Sequence, residues 1–565
     1  MFGINYVKNR NSHILASLDD ISKIQNYIPL YSVFFSLNQS NFNSINLNHK
    51  YHITKFVEKV GENNYICNIK HENHIKKAAS FFKFSPLIDP IKYMAGKYKN
   101  KAIDMLPSLE GDNCLSKIKD SNNAAYVDGF FSFLTSQASH AHGLFHGVDF
   151  YGSFLAIKDN FHYNIADDID YLCQSNFFHK NRGDKFTIDN VYDDAFFSFH
   201  TRHYKKRLKL GTNVSGTEVL PVLSIDQSAL NEVFTPVKTE TVGGHDLIFE
   251  RDVSNNSSRN TTASTKSSSC SSRSSHTSDG SRSSYDVSSC HTPSEYSSST
   301  CSQSTGGLSA ESEDVIEAVL KTFPVQIICL ESLDGTLDSI LEELDTEEWR
   351  SCLFQIIITL VMYQKMFDFT HNDLHTNNIM YKKTDKVYLC YRYKEQLYKV
   401  PTHGRIYKII DFGRAIYKYK GRRICSDSFH PKGDAATQYN CEPYFNKNKA
   451  RLDPNPSFDL CRLGCSLYDF FSPDEDDDSG ELIDPITKLV DKWCKDDRGR
   501  NILYKSNGDE RYPDFKLYKM IARTVHHCPA EKEIENPIFR KYFTSRKKIK
   551  KAKVLNVDTL PSYIN

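Results

Sequence analysis

Apolar and polar positions alternate with a period of two between Tyr51 and Ser85. H-I-T-K-F-V-E-K-V, the turn Gly61–Asn64 and Y-I-C-N-I-K-H predict a β-hairpin, and A-S-F-F-K-F-S predicts a third strand. The period then changes. S-N-N-A-A-Y-V-D-G-F-F-S-F-L-T-S predicts a helix capped near Ser121, with Val127, Phe131 and Leu134 on one stripe. F-Y-G-S-F-L-A-I-K reads as the next strand. P-V-Q-I-I-C-L-E-S-L-D-G-T-L-D reads as a buried strand running into a glycine turn and then a helix. Trp349, Leu353, Ile356, Ile357, Leu360 and Val361 form a further helical stripe. After it Y-L-C-Y-R-Y and R-I-Y-K-I-I predict two strands joined by a long hairpin. S-F-D-L-C-R-L-G-C-S-L-Y-D-F-F, K-W-C-K-D-D-R-G-R-N-I-L-Y and E-R-Y-P-D-F-K-L-Y-K-M-I-A-R complete a mostly helical second half. Residues 1–50, rich in Asn and Ser, carry no clear period and predict a small helical or irregular extension.

Two stretches between these elements carry chemistry. Thr370–Tyr381, T-H-N-D-L-H-T-N-N-I-M-Y, fits the H-x-D-L-x-x-x-N pattern of a kinase catalytic loop, and Lys408–Ala415 ends a β-branched run in Asp-Phe-Gly. Phosphoryl transfer needs a carboxylate at the attacking hydroxyl and hard oxygen ligands that hold Mg²⁺ against the nucleotide phosphates. Asp373 is the candidate base. Asn378 and Asp411 are the candidate metal ligands, and Gly413 is expected to let the backbone turn beside Asp411. Lys83, flanked by Phe on both sides, is the candidate for the α- and β-phosphates, with Lys70 as its alternative. Asp128 on the helix is its candidate acidic partner. The adenine is expected on main chain around Glu331–Leu333.

The pattern also departs from that of conventional kinases. Gly61 is the only glycine in a hairpin that would otherwise carry G-x-G-x-x-G. Asn372 stands where many kinases carry an Arg that pairs with a phosphorylated loop. His375 stands where a Lys contacts the transferred phosphate. The H-x-D-L-H loop is as similar to haspin-type, aminoglycoside-type and choline-type kinases, so it defines the reaction more closely than the acceptor. Asp459, in an Asp-x-x-x-Leu-Gly arrangement, is expected to bind the backbone of the Asp373 loop, which favours a protein acceptor.

Composition narrows the class. The 565 residues suffice for a two-lobed enzyme with a long extension, and 71 Lys+Arg against 70 Asp+Glu argue against a general binder of nucleic acid. The 15 Cys lack zinc spacing, which suits a reducing compartment; Cys461 and Cys465 share a helix face and read as buried packing. His140, His142 and His146 read as loop histidines rather than a metal site. The longest apolar stretch, around Phe354–Tyr363, is too short to span a bilayer. A Ser/Thr tract over 253–312 is too poor in apolar residues to fold and reads as disordered; Asp474–Asp478 reads as a solvated acidic loop, and S-R-K-K-I-K-K-A-K as a basic tail.

Taken together, F-F-K-F-S-P-L-I-D-P-I-K-Y-M-A-G-K-Y, T-H-N-D-L-H-T-N-N-I-M, V-P-T-H-G-R-I-Y-K-I-I-D-F-G-R-A-I-Y and Y-P-D-F-K-L-Y-K-M-I-A-R resemble the serine/threonine protein kinases of large cytoplasmic DNA viruses, the mimivirus-like group especially. The resemblance covers roughly residues 50–162 and 320–540. It implies an α+β, bilobal protein-kinase-like fold: an N-terminal extension (1–50), a small antiparallel β lobe (51–162), an insertion (163–252) with the disordered Ser-rich segment (253–312), the last small-lobe strand and hinge (313–333), a mostly helical large lobe (334–545) and the tail (546–565). It implies ATP and Mg²⁺ as cofactors, viral or host proteins as partners, and the host cytoplasm and the virion as location. A kinase-fold enzyme for small molecules and a virion scaffold with a degenerate site are the alternatives.

Overall fold

A computed structural model describes residues 2–8, 12–98, 103–109, 114–188, 316–471, 484–549 and 552–565. Most of the 163–252 insertion, the 253–312 tract and the acidic loop 474–478 lie outside the described residues.

The N-terminal region carries short 3₁₀ turns at Ser12–Ile14, Pro29–Val33 and Phe42–Ser44 together with short strands. β1 (Tyr6–Lys8) pairs with β3 (Ile45–Leu47), and β2 (Ile21–Gln25) joins the edge of the main sheet. Strands of three to five residues are too short to register as a period, so the sequence alone did not reveal them.

The hairpin forms as the alternation requires, with β4 (His52–Lys59) and β5 (Asn64–His71), and β6 (His74–Pro86) follows. Short helices α1 (Pro90–Met94) and α2 (Ser116–Lys119) lead to α3 (Ala124–His142), which is capped by Asn123, two residues from the expected Ser121. Because α3 runs to His142, His140 and His142 sit in its last turn and not in a loop. β7 (Phe150–Asn164) is followed by α4 (Ile169–Cys173), α5 (Asn176–Asn181) and β8 (Phe186–Ile188), and then by β9 (Glu317–Glu331). These strands form one antiparallel sheet in the order β2-β7-β9-β6-β5-β4, with β8 also on β9. The register Ile188↔Ala318 sets the exit and return of the long excursion side by side.

β10 (Gly335–Thr336) and a 3₁₀ turn lead to α6 (Thr346–Phe367), which opens with a full capping box between Asp345 and Glu348. β11 (Ile379–Lys383) and β14 (Arg405–Ile409) pair with one another, flanking the loop from Asp373 to Asn378 and the approach to Asp411. Here the predicted hairpin is corrected. β12 (Tyr388–Tyr393) pairs with β13 (Gln396–Pro401), not with β14. β15 (Ile416–Tyr419) and β16 (Arg422–Cys425) follow, then α7 (Phe458–Phe471), α8 (Pro485–Trp493), α9 (Lys516–Thr524) and α10 (Ala530–Glu533). α8 ends at Trp493, so the 495–504 segment read as helical is turns and bridges. β17 (Phe543–Thr544) and β18 (Val554–Asn556) complete a four-stranded sheet, β17-β13-β12-β18. The C-terminal stretch is therefore bound into this sheet by the parallel β12–β18 pair, although its basic character invites reading it as a tail.

Aromatic packing couples the two halves. The ring of Phe131 on α3 stacks on Phe369 at 4.4 Å and meets the edge of Phe412 at 4.7 Å. All three are essentially buried. Such ring pairs contribute roughly 0.5–1.5 kcal/mol each beyond their buried area.

Candidate active site

α3 and β6 bring two charged side chains together from positions remote in sequence. Lys83 Nζ lies 2.7 Å from Asp128 Oδ2 and 2.9 Å from Asp411 Oδ1. Burial alone would lower the ammonium's pKa; the two carboxylates outweigh it and hold it above the ordinary lysine range. Burial raises Asp128, against the pull of Lys83, whereas for Asp411 the same burial is overcome by Lys83 and its pKa is lowered. Asp411 is thus the stronger acid of the pair. Asp128 Oδ1 also accepts the Phe412 amide at 2.9 Å, tying α3 to the segment that presents Asp411. Lys70, the alternative, is exposed and pairs in register with His52.

The turn at Asp411 corrects the expectation for Gly413. The left-handed backbone falls on Asp411 itself, at φ +60°, a region that Asp tolerates better than most residues. Gly413 serves close approach: its amide is 3.3 Å from Asp411 Oδ1, and a Cβ added there would also sit 3.3 Å from that oxygen.

A second group forms on the 371–378 loop. Asn378 Nδ2 donates to the Asp373 carbonyl at 2.9 Å and lies 3.1 Å from His375 Nε2, so that nitrogen is the unprotonated acceptor. The Ile410 amide donates to the Asn378 carbonyl at 3.0 Å, which sets this loop beside Asp411. Asp459 fixes the loop's entry, its two oxygens accepting the His371 and Asn372 amides at 2.9 Å each, as the sequence led us to expect. Asn372 adopts φ +67° and is held by the Thr370 and Arg414 carbonyls and the Tyr439 hydroxyl.

Asp373 is braced by residues that no motif announced. Its Oδ1 accepts the Tyr518 hydroxyl at 2.8 Å, and its Oδ2 lies 3.8 Å from Arg414 Nε. Burial works to raise its pKa, but Arg414, His375, Arg462 and Tyr518 hold it down at about 2. Arg414 Nη2 also pairs with Asp434 Oδ2 at 2.6 Å. An Arg directly after Asp-Phe-Gly was the one available signal for this brace. Tyr518 and Arg462 lie on helices α9 and α7 and resemble ordinary amphipathic positions.

The remaining predicted residues lie outside these two groups. Gly61 sits in the β4–β5 turn, where an added Cβ would meet no protein atom closer than 3.5 Å. The Glu331 amide is taken by the Asp149 carbonyl, and its side chain pairs with Lys408. Among the described residues the Leu333 main chain makes no hydrogen bond. The three histidines diverge. His140 pairs with Asp149, His142 meets the Tyr563 hydroxyl, and His146 is buried between the Tyr407 carbonyl and the Tyr391 hydroxyl. Cys461 is buried and Cys465 half-buried on α7, beside Cys494.

Burial lowers His375 and His146 to about 4, so both are neutral in the fold. Unfolded histidine titrates near 6.5, and the stability gained from keeping these rings neutral is present above that pH and lost as the pH falls toward 4. Thermal denaturation should therefore show the melting temperature falling between pH 7 and pH 5, by the equivalent of about 2 kcal/mol per ring. A flat profile over that interval would contradict the assignment. Asp373, held at about 2, stays ionised throughout it.

Among the described residues no helix is long and apolar enough to cross a membrane. No family model matches the chain. Over 150 residues it is 42% identical to a protein of Acanthamoeba polyphaga mimivirus named "Putative serine/threonine-protein kinase R301". The matched stretch is 25% of this chain and about a third (34%) of that protein. Over this part the chain is related to a protein named as a kinase.

Proposed function

We propose that this chain is an ATP-dependent protein kinase with a bilobal kinase fold, transferring the γ-phosphate to Ser or Thr hydroxyls of viral or host proteins in the host cytoplasm, and that it is packaged in the virion. The observation that carries this reading is Lys83 bridging Asp128 and Asp411 while Asp459 holds the loop that bears Asp373 and Asn378. The strand order β4-β5-β6-β9-β7, with α3 entering between β6 and β7, supports the small-lobe assignment. The partial likeness to a mimivirus protein named as a kinase agrees with it.

The donor set suits Mg²⁺. Asp411 keeps Oδ2 clear of the Lys83 contact, and the Asn378 side-chain oxygen accepts no hydrogen bond among the described residues. One carboxylate and one amide oxygen are the sparse protein ligation this ion takes when substrate phosphates complete its shell. When bound, the ion would neutralise charge on the phosphates.

The chain's own groups account for the rest. Lys83 places a fixed positive charge where phosphate oxygens would lie. The unpaired Leu333 main chain can hydrogen-bond a base. Asp373 accepts the acceptor's hydroxyl proton as the new O–P bond forms and the bond to the β-phosphate oxygen breaks, releasing ADP.

Incubation with labelled ATP, Mg²⁺ and generic protein acceptors tests the proposal, with Asp373→Asn as control. Label on protein that depends on Asp373 supports it. Label confined to small alcohols or amino sugars would favour the small-molecule reading, to which His375 and the single glycine at Gly61 lend support. No transfer by a folded protein would leave the scaffold reading.

Regulation by phosphate is not needed here. Asp427 accepts the Ala124 amide at the start of α3 and pairs with Lys117, and Asp434 pairs with Arg414. These permanent carboxylates occupy positions where a phosphate could otherwise order the segment. Phosphatase treatment should leave turnover unchanged, and a loss of activity that rephosphorylation restores would contradict this.

A further inference from the structure

The candidate base already has a hydroxyl on it. Tyr518 donates to Asp373 Oδ1 at 2.8 Å, and the same phenol oxygen accepts from Arg462 Nε at 2.8 Å. The three residues are 4–5% exposed. Phe515 stacks on the Tyr518 ring at 5.2 Å, and the Arg414 and Arg462 guanidinium groups lie over it at 5.6 and 5.3 Å. Asp373's other oxygen faces Arg414. Geometrically, this is the contact that an acceptor hydroxyl must make with its general base, 2.6–3.2 Å between heavy atoms.

We propose that Tyr518 is an acceptor gate: its phenol holds the place of the acceptor hydroxyl on Asp373 and must leave before transfer. The inference rests on the kinase reading above. Movement has a local means. α9 begins just after Asp514, whose backbone is left-handed at φ +54°, and residues 511–515 are partly or fully exposed, so the start of the helix is joined to a strained surface turn. The gate also selects acceptors. A hydroxyl arriving alone must displace a charge-assisted hydrogen bond, whereas one carried on a protein segment can recover that cost from contacts elsewhere.

Tyr518→Phe keeps the ring and removes the hydrogen bond. With Mg-ATP and casein as probe acceptor, its kcat/KM for casein should rise about tenfold, the usual weight of a hydrogen bond to a charged group. A fall in kcat/KM would overturn the gate and make Tyr518 a positioning residue, with the kinase reading intact. Absence of transfer by the parent protein would instead remove the reading and the gate together. A second measurement needs no turnover. With 3-fluorotyrosine placed at position 518, the fluorine resonance should shift in Asp373→Asn and shift again when the parent protein binds casein with a non-hydrolysable ATP analogue and Mg²⁺. A resonance unmoved by casein would overturn the gate.

Discussion

Asp373→Asn should fold normally and transfer phosphate about a thousandfold more slowly than the parent, the middle of the range for a positioned general base. The substitution preserves shape and removes only charge and basicity. The Tyr518 hydroxyl can still donate to the amide oxygen, and the Asn378 amide bonds to the main-chain carbonyl at 373, which is untouched. Burial is not expected to produce a collapse either. Arg414 remains paired with Asp434, and Arg462 remains bonded to Tyr518. Single-turnover label transfer, read beside a melting curve, separates the chemistry from the fold. A turnover loss below about tenfold would mean that another group takes the acceptor proton.

Lys83→Met should have the second large effect, on stability as well as activity. Two carboxylates share this one ammonium, and all three groups are largely removed from water. Taking away the cation leaves like charges facing one another, and breaking such a buried pair costs about 3–5 kcal/mol. The melting temperature should fall by roughly 5–10 °C, and nucleotide binding should weaken. Adding Asp128→Asn removes the carboxylate whose pKa burial already raises, so the double variant should regain part of the lost stability and none of the transfer activity. If Lys83→Met melts with the parent, the ion-pair cluster is not a buried unit and the geometry described for it is wrong.

The residues legible in the sequence were those whose chemistry fixes their spacing. Asp373 and Asn378 lie on one loop, Asp411 heads a fixed tripeptide, and an ammonium between two phenylalanines has few places to go. Asp128 could be named because a helix after three strands limits which carboxylate can reach back. The brace around Asp373 obeys no such rule. Tyr518 reaches Asp373 across 145 residues of separation and is itself met by Arg462 across 56, through the packing of α9 and α7, and nothing local distinguishes them from neighbouring polar positions. Strand partners failed for a related reason. Alternation identified residues 388–393 and 405–409 as strands, but the first pairs with β13 and with β18, supplied by the far end of the chain, and the second with β11. Glycine was over-read at Gly413, because its presence suggests a backbone turn that only φ can establish, and the left-handed residue there is Asp411.

The register of β8 on β9 has a practical consequence. Ile188 lies two positions from direct opposition to Ile316, where the described chain resumes, so residues 189–315 depart and return as though through the mouth of a hairpin. Lengthening a loop whose ends are already fixed costs only a logarithmic term, about 0.6 kcal/mol for each doubling. As far as chain entropy is concerned, the β8–β9 pair therefore tolerates a change in the number of residues between its two strands at small cost.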